Sequence, residues 1–194
     1  MEAQELPDFP SLGMDRIVLV RTEGLAEVTK ALLLLNSGPV GFDTETRIIF
    51  SGPRVKDGPH IAQIATMEHT YVFQLHVKKC REVVAELVNS QTLMKVGFGV
   101  KNDLTSLRRA LGVVPKNVVD IGKLPELKHN GQPCGLKNAV ARVLGKHFDK
   151  PKTMIKSNWS RETLTDRQIQ YAANDAFASL LVYNEVVRRQ QCPK

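Results

Sequence analysis

The chain has 194 residues, of which 42% are hydrophobic and 24% are charged. This composition fits one α/β domain and excludes collagen, coiled coil and wholesale disorder. The net charge of +7 is typical of proteins that bind a phosphate backbone, although many other basic proteins share it. No aliphatic run approaches the roughly 20 residues of a membrane-spanning helix, so no membrane partner is expected.

The cysteines and histidines indicate neither a disulfide framework nor a zinc site. The three cysteines form no C-x-x-C pair, and the five histidines show no H-x-x-x-H spacing. The N-terminal residues lack the basic and apolar regions of a secretory signal. We therefore expect a soluble intracellular protein of the cytoplasm, nucleoid or nucleus, and not a secreted one.

The predicted elements alternate between strands and helices along the chain. Residues 1–13 contain two prolines and predict a flexible lead-in, followed by a domain over residues 14–190 and a tail over 191–194. Apolar patterns predict strands over 16–20, 40–45, 61–65, 70–74 and 93–97, and helices over 24–36, 80–88, 102–111, 136–144 and 166–189. A basic loop over 46–59 separates the second and third strands. This order predicts an α/β fold in which helices flank a mixed β-sheet.

Two acidic residues share one face of the second strand. Because side chains alternate along a strand, Val40 and Phe42 point to one side, whereas Asp43 and Glu45 point to the other. Neighbouring carboxylates repel, and a hard divalent cation such as Mg²⁺ or Mn²⁺ removes that conflict. An isolated D-x-E is more often a solvated strand end, so this pair alone does not establish a metal site.

A tyrosine and an aspartate share one face of the long C-terminal helix. The sequence Thr165-Asp-Arg-Gln168 has the form of a capping box, which places the start of the helix. Tyr171 and Asp175 are four residues apart and therefore lie on the same side. Asp103 adds a further carboxylate in the first turn of another helix, where an isolated aspartate is more often a favourable partner of the helix dipole. These three weak signals, taken together and in this order, indicate a metal-dependent active site.

The motifs FDTET, VGFGVKNDLTSL and YAANDAFASLLVY resemble the three exonuclease motifs of the DEDDy branch of the DnaQ-like superfamily. The stretch SNWSRETLTDRQIQYAANDA is similar to Werner-syndrome-type exonuclease domains and, more loosely, to ribonuclease D. The resemblance implies a ribonuclease-H-like fold and a 3′-5′ exonuclease that releases nucleoside 5′-monophosphates. It also implies two divalent ions, Mg²⁺ or Mn²⁺, held by Asp43, Glu45, Asp103 and Asp175.

The same resemblance implies the remaining roles. Tyr171 would hydrogen-bond the attacking water, and the substrate contacts are expected from Thr44, Asn102, Lys156 and Trp159. Werner-type domains can carry an arginine where this chain has Ile155, so Lys150, Lys152 or Lys156 would have to supply the phosphate contacts. We expect single-stranded or recessed 3′ ends as substrate, with DNA favoured over RNA. A helicase or repair partner, if there is one, is expected to be a separate chain. The alternative functions are a 3′-5′ exoribonuclease of ribonuclease D type and a nucleic-acid-binding module that has lost catalysis.

Overall fold

The structure is a computed structural model that describes residues 6–48 and 58–192. The strands are β1 (Ile17–Val20), β2 (Val40–Glu45), β3 (Ile61–Ala65), β4 (Thr70–Gln74), β5 (Lys95–Gly97), β6 (Val118–Asp120), β7 (Lys128–His129) and β8 (Gln132–Pro133). The helices are α1 (Glu23–Leu35), α2 (Lys78–Asn89), α3 (Lys101–Leu111), α4 (Leu136–Leu144), α5 (Lys152–Ile155) and α6 (Asp166–Gln191).

The main sheet is mixed, as the sequence predicted. Within the described residues it has six strands in the order β1-β4-β3-β2-β5-β6. Strand β3 pairs antiparallel with both β2 and β4. The remaining pairs, β1 with β4, β2 with β5 and β5 with β6, are parallel. The sequence did not predict β6, the small β7-β8 hairpin or α5. Strand β2 is thus an inner strand, with neighbours on both sides.

Helices cover both faces of this sheet, and each face has its own hydrophobic core. The core beside α1, α2 and α3 contains Val40 and Phe42, and the other contains the apolar residues of α4 and α6. Gly41 lies on the α6 face, where an added Cβ would overlap the carbonyl oxygen of Ala176. Helix α6 therefore packs directly on β2, and the alternation along β2 directs Asp43 and Glu45 toward it.

Two side chains of the segment before β1 are packed, within the range for which the sequence predicts a flexible lead-in. Phe9 and Leu12 are buried, and the Leu12 N–H donates to Asn174 Oδ1 at 2.9 Å. Phe9 and Leu12 therefore lie against α6, while residues 1–5 are outside the described residues and the domain limits stay predictions. The predicted loop over 46–59 falls mostly on residues 49–57, which are also outside them. Among the described helices, none is both long enough and apolar enough to cross a bilayer.

Candidate active site

Three carboxylates from β2 and α6 converge at one place. Asp43, Glu45 and Asp175 each offer an oxygen atom, and these oxygens lie within 4.8 Å of one another. Their positions follow from the alternation along β2 and from the start of α6. That start is fixed by the predicted capping box, in which Thr165 Oγ1 accepts from Gln168 N at 3.3 Å and Gln168 Oε1 accepts from Thr165 N at 3.0 Å.

Asp103 lies at the edge of this cluster. It stands in the first turn of α3 and accepts a hydrogen bond from the Thr44 hydroxyl group. Its charge helps to raise the pKa of Asp43, so the two carboxylates are near each other. Its oxygen does not belong to the tight group of three. The structure thus brings all four predicted acids to one end of β2, with Asp103 more distant than the others.

The local electrostatics disfavour ionisation of these acids. Burial, followed by the charges of Asp175 and Asp103, raises the pKa of Asp43 well above its usual range. Burial and then the charge of Asp43 raise the pKa of Glu45 in the same way. The pKa of Asp103 is also raised, chiefly by burial. Carboxylates that repel one another in a poorly solvated place need a positive counter-charge.

Lys150 supplies part of that counter-charge. Its Nζ atom lies 2.8 Å from Asp175 Oδ2, and its side chain is only 25% exposed. Burial alone would lower the pKa of Lys150, but the charges of Asp175, Asp43 and Glu45 outweigh burial and raise it. Among the described residues, the three carboxylates of Asp43, Glu45 and Asp175 therefore share the one ammonium group of Lys150. From the sequence, Lys150 was predicted only as one of three possible phosphate contacts, and its ion pair with Asp175 was not predicted.

Tyr171 stands beside Asp175, as its position one helical turn earlier predicted. Burial, followed by the charges of Asp175 and Glu45, raises the pKa of the Tyr171 phenol, which is therefore protonated at neutral pH. The ring packs against Trp159 with 6.0 Å between centroids. Trp159 is fully buried, so it cannot contact the substrate directly as expected. Its ring instead packs against Tyr171.

The other expected substrate residues differ in exposure. Asn102 is exposed beside Asp103, Lys156 is exposed at the end of α5, and Thr44 is half-buried. Gln63 was missed: it is fully buried and lies directly opposite Asp43 in the β2-β3 register, hence on the same face. Neither polar atom of its amide has a hydrogen-bond partner among the described residues. A polar residue within the apolar run of β3 was the signal that could have identified it.

The cluster fits a divalent cation. Asp175 Oδ1 is buried and has no hydrogen-bond partner among the described residues, so this oxygen could accept a bond from a bound cation. The donor set consists of carboxylate oxygens, which are the ligands that Mg²⁺ and Mn²⁺ prefer. The excess of negative charge would be reduced by such an ion.

Comparison with known proteins agrees with this geometry. A family described as 3′-5′ exonuclease matches residues 18–189. The chain is 30% identical over 151 residues to a 3′-5′ exonuclease of Arabidopsis thaliana, covering 74% of this chain and 51% of that protein. It is 28% identical over 159 residues to the bifunctional 3′-5′ exonuclease/ATP-dependent helicase WRN of Mus musculus, covering 80% of this chain and 11% of that protein. The chain thus spans about half, or much less, of these relatives.

Solved structures show the same fold. The Nibbler EXO domain of Aedes aegypti has a TM-score of 0.78 and 21% identity, covering 94% of this chain and 93% of that one. The complex of Trypanosoma brucei RNase D with RNA U12 has a TM-score of 0.75 and 18% identity, covering 91% of this chain and 64% of that one. The mixed sheet flanked by helices is therefore the ribonuclease-H-like fold that the sequence predicted. By its family match and by its fold, the chain belongs to the 3′-5′ exonuclease family.

Proposed function

We propose that this chain hydrolyses phosphodiester bonds at the 3′ ends of nucleic acids and releases nucleoside 5′-monophosphates. The observation that carries the proposal is the convergence of Asp43, Glu45 and Asp175, with oxygens within 4.8 Å of one another, beside Tyr171. Carboxylates in this arrangement suit divalent cations, and the family match supplies the reaction type.

In this proposal Asp43, Glu45 and Asp175 would hold two ions, Mg²⁺ or Mn²⁺, and Asp103 would assist from the edge of the cluster. Two bound ions would stabilise charge on the attacking and leaving oxygens of an in-line displacement. The protonated Tyr171 hydroxyl group would hydrogen-bond the water whose oxygen attacks the terminal phosphorus. The bond to the 3′ oxygen of the preceding nucleotide breaks, and that oxygen leaves with a proton.

DNA is the proposed substrate, with a single-stranded or recessed 3′ end. The SNW stretch before α6 and the mouse relative, whose name joins an exonuclease to a helicase, support this choice and a helicase or repair partner. RNA is the second candidate, because one solved structure of the same fold, that of Trypanosoma brucei RNase D, is a complex with RNA. A few contacts to the sugar 2′ position can decide between the two.

The test is a gel assay with 5′-labelled DNA and RNA oligonucleotides of matched sequence, in Mg²⁺, Mn²⁺ or chelator. The proposal expects a ladder that shortens from the 3′ end only with metal, faster for DNA than for RNA. Faster shortening of RNA would select the second candidate. Tight binding without shortening of either polymer in any metal would refute hydrolysis and indicate a binding module.

A further inference from the structure

A basic pocket lies on the α2-α3 side of the sheet, outside the carboxylate cluster. The cavity has a volume of about 490 Å³ and lies where β3 begins and β4 ends. Its charged and titratable lining residues are His60, His76, Arg81 and Arg109, and no acidic residue is among the described residues that line it. We call it the Arg81–Arg109 pocket. Its wall is therefore positively charged and offers several N–H donors.

Backbone carbonyl groups hold both arginines in place without neutralising them. Arg81 Nη1 donates to the carbonyl oxygen of Leu75 at 2.9 Å, and Arg109 Nη2 donates to that of Gly58 at 3.4 Å. Neither guanidinium forms an ion pair with a described residue. By contrast, Glu185 pairs with both Arg188 and Arg189 on α6. Each pocket arginine keeps its charge and most of its five donors for a ligand.

The pocket continues from the end of the strand that carries the acids. The His60 N–H donates to the carbonyl oxygen of Glu45 at 2.9 Å, so the pocket wall adjoins the C-terminal end of β2. Arg109 follows Asp103 by six residues on α3, which places it about 9 Å further along the helix axis. A stacked strand rises roughly 3.4 Å per nucleotide along its axis, and successive phosphates lie farther apart than this through space, so the interval corresponds to roughly one to three nucleotides.

We propose that the Arg81–Arg109 pocket binds a backbone phosphate of the nucleic-acid substrate, within about three nucleotides of the bond that is cut. The proposal rests on the proposed function and adds a second contact point on the same strand. Guanidinium groups match phosphate oxygens with paired hydrogen bonds, and prior anchoring reduces the side-chain ordering that binding requires. A phosphate contact positions the strand without reading its sequence, which suits an enzyme that removes successive nucleotides.

The experiment measures binding of a fluorescent oligonucleotide in chelator, so that no hydrolysis is required for a result. One linkage at a time is replaced by an uncharged methylphosphonate, at each of the first six positions from the 3′ end. We expect wild type to lose affinity by about tenfold when the neutral linkage lies two to four nucleotides from the end. Arg81→Gln/Arg109→Gln should bind the unmodified oligonucleotide about tenfold more weakly and no longer respond to that linkage.

The matched control is Arg16→Gln/Arg142→Gln. These two arginines also donate to backbone carbonyls but lie outside the pocket, so the control removes the same charge and the same kind of bond. It should keep the response to the neutral linkage. Equal losses in both double variants, or a response that persists without Arg81 and Arg109, would overturn the proposal. If the double variant does not fold, the single variants Arg81→Gln and Arg109→Gln give the same comparison.

Two further arms separate this inference from others. Free inorganic phosphate and a nucleoside 5′-monophosphate are added as competitors, because an isolated phosphate could also enter the pocket. We expect neither to displace the oligonucleotide at concentrations near the oligonucleotide's Kd; displacement at that level would identify a small-anion site and overturn the backbone assignment. Hydrolysis is measured separately with Mn²⁺. Failure of hydrolysis with an intact linkage response would refute the proposed function and leave the pocket assignment standing.

Discussion

Replacing Lys150 by methionine should destabilise the metal-free protein and increase its response to metal. The Lys150 ammonium lies 2.8 Å from Asp175 Oδ2, and the Asp175 side chain is only 3% exposed. Removing one partner of a buried ion pair leaves the other charge uncompensated, at a cost of about 3–5 kcal/mol. Because Lys150 is a quarter exposed, we expect the lower end, about 3 kcal/mol.

This free-energy loss can be measured as a change in Tm. For a chain of this size, about 1 kcal/mol corresponds to roughly 2–4 °C, so Lys150→Met should melt about 6–12 °C below wild type in chelator. Protonation of Asp175 in the variant limits the loss. The gap should therefore narrow as the pH falls, since a carboxyl group whose pKa is raised in the folded state favours folding at low pH.

Bound metal should stabilise Lys150→Met more than it stabilises wild type. Wild type and Lys150→Met are melted with increasing Mg²⁺ or Mn²⁺, and the increase in Tm should be larger in the variant, because the ion replaces the missing positive charge. Lys152→Met is the control, since Lys152 is exposed and only two residues away. Equal Tm values for Lys150→Met and wild type in chelator, or equal metal-induced shifts, would refute the reasoning.

Three other substitutions test separate parts of the structure. Tyr171→Phe should lower turnover by roughly 10²-fold while metal-induced stabilisation stays at the wild-type value, and loss of metal binding would contradict its role toward water. Gly41→Ala should lower the free energy of unfolding by about 1–3 kcal/mol or more, because the added methyl group meets the α6 backbone; Gly38→Ala, in open space, should be nearly neutral. If the two alanine variants unfold alike, the close packing of β2 on α6 is wrong. Lys95 is buried, and burial lowers its pKa to about 8. Between pH 8 and 10.5 the folded state therefore releases this proton while the unfolded state still holds it. The free energy of unfolding of wild type should rise by up to about 3 kcal/mol over this range. Denaturant unfolding of Lys95→Met should lack this gain, and parallel pH profiles for the two proteins would disprove it.

The residues of the candidate site were predictable where local rules decide their direction. Alternation along β2 placed Asp43 and Glu45 on one face, and the capping box at Thr165 set the start of the helix that carries Asp175. Both rules depend only on neighbouring residues. The side of a helix that packs against the sheet was less predictable. The apolar spacing of α1 predicted a helix, yet the apolar residues Val28, Leu32 and Leu35 on it are exposed.

The features that the sequence missed depend on contacts between distant segments. Lys150 reaches Asp175 only because the irregular segment before α5 folds over the site, and no periodic pattern describes such a segment. Strand β6 has only three residues and forms by pairing with β5, so its own sequence carries little strand signal. Trp159 was expected to contact substrate because of the family resemblance, but burial beside Tyr171 gives it a packing role.

The most direct test of the central claim compares 3′-end hydrolysis by wild type and Asp43→Asn over a range of Mn²⁺ concentrations, with melting curves of the same samples. The substitution removes one charge from a repelling cluster and keeps the side-chain shape, so the variant should fold and melt no lower than wild type in chelator. We expect metal to activate wild type to a plateau and to raise its Tm, and to do neither in Asp43→Asn. Wild-type hydrolysis in chelator, or full turnover by the folded variant, would contradict a catalytic metal site at Asp43, Glu45 and Asp175.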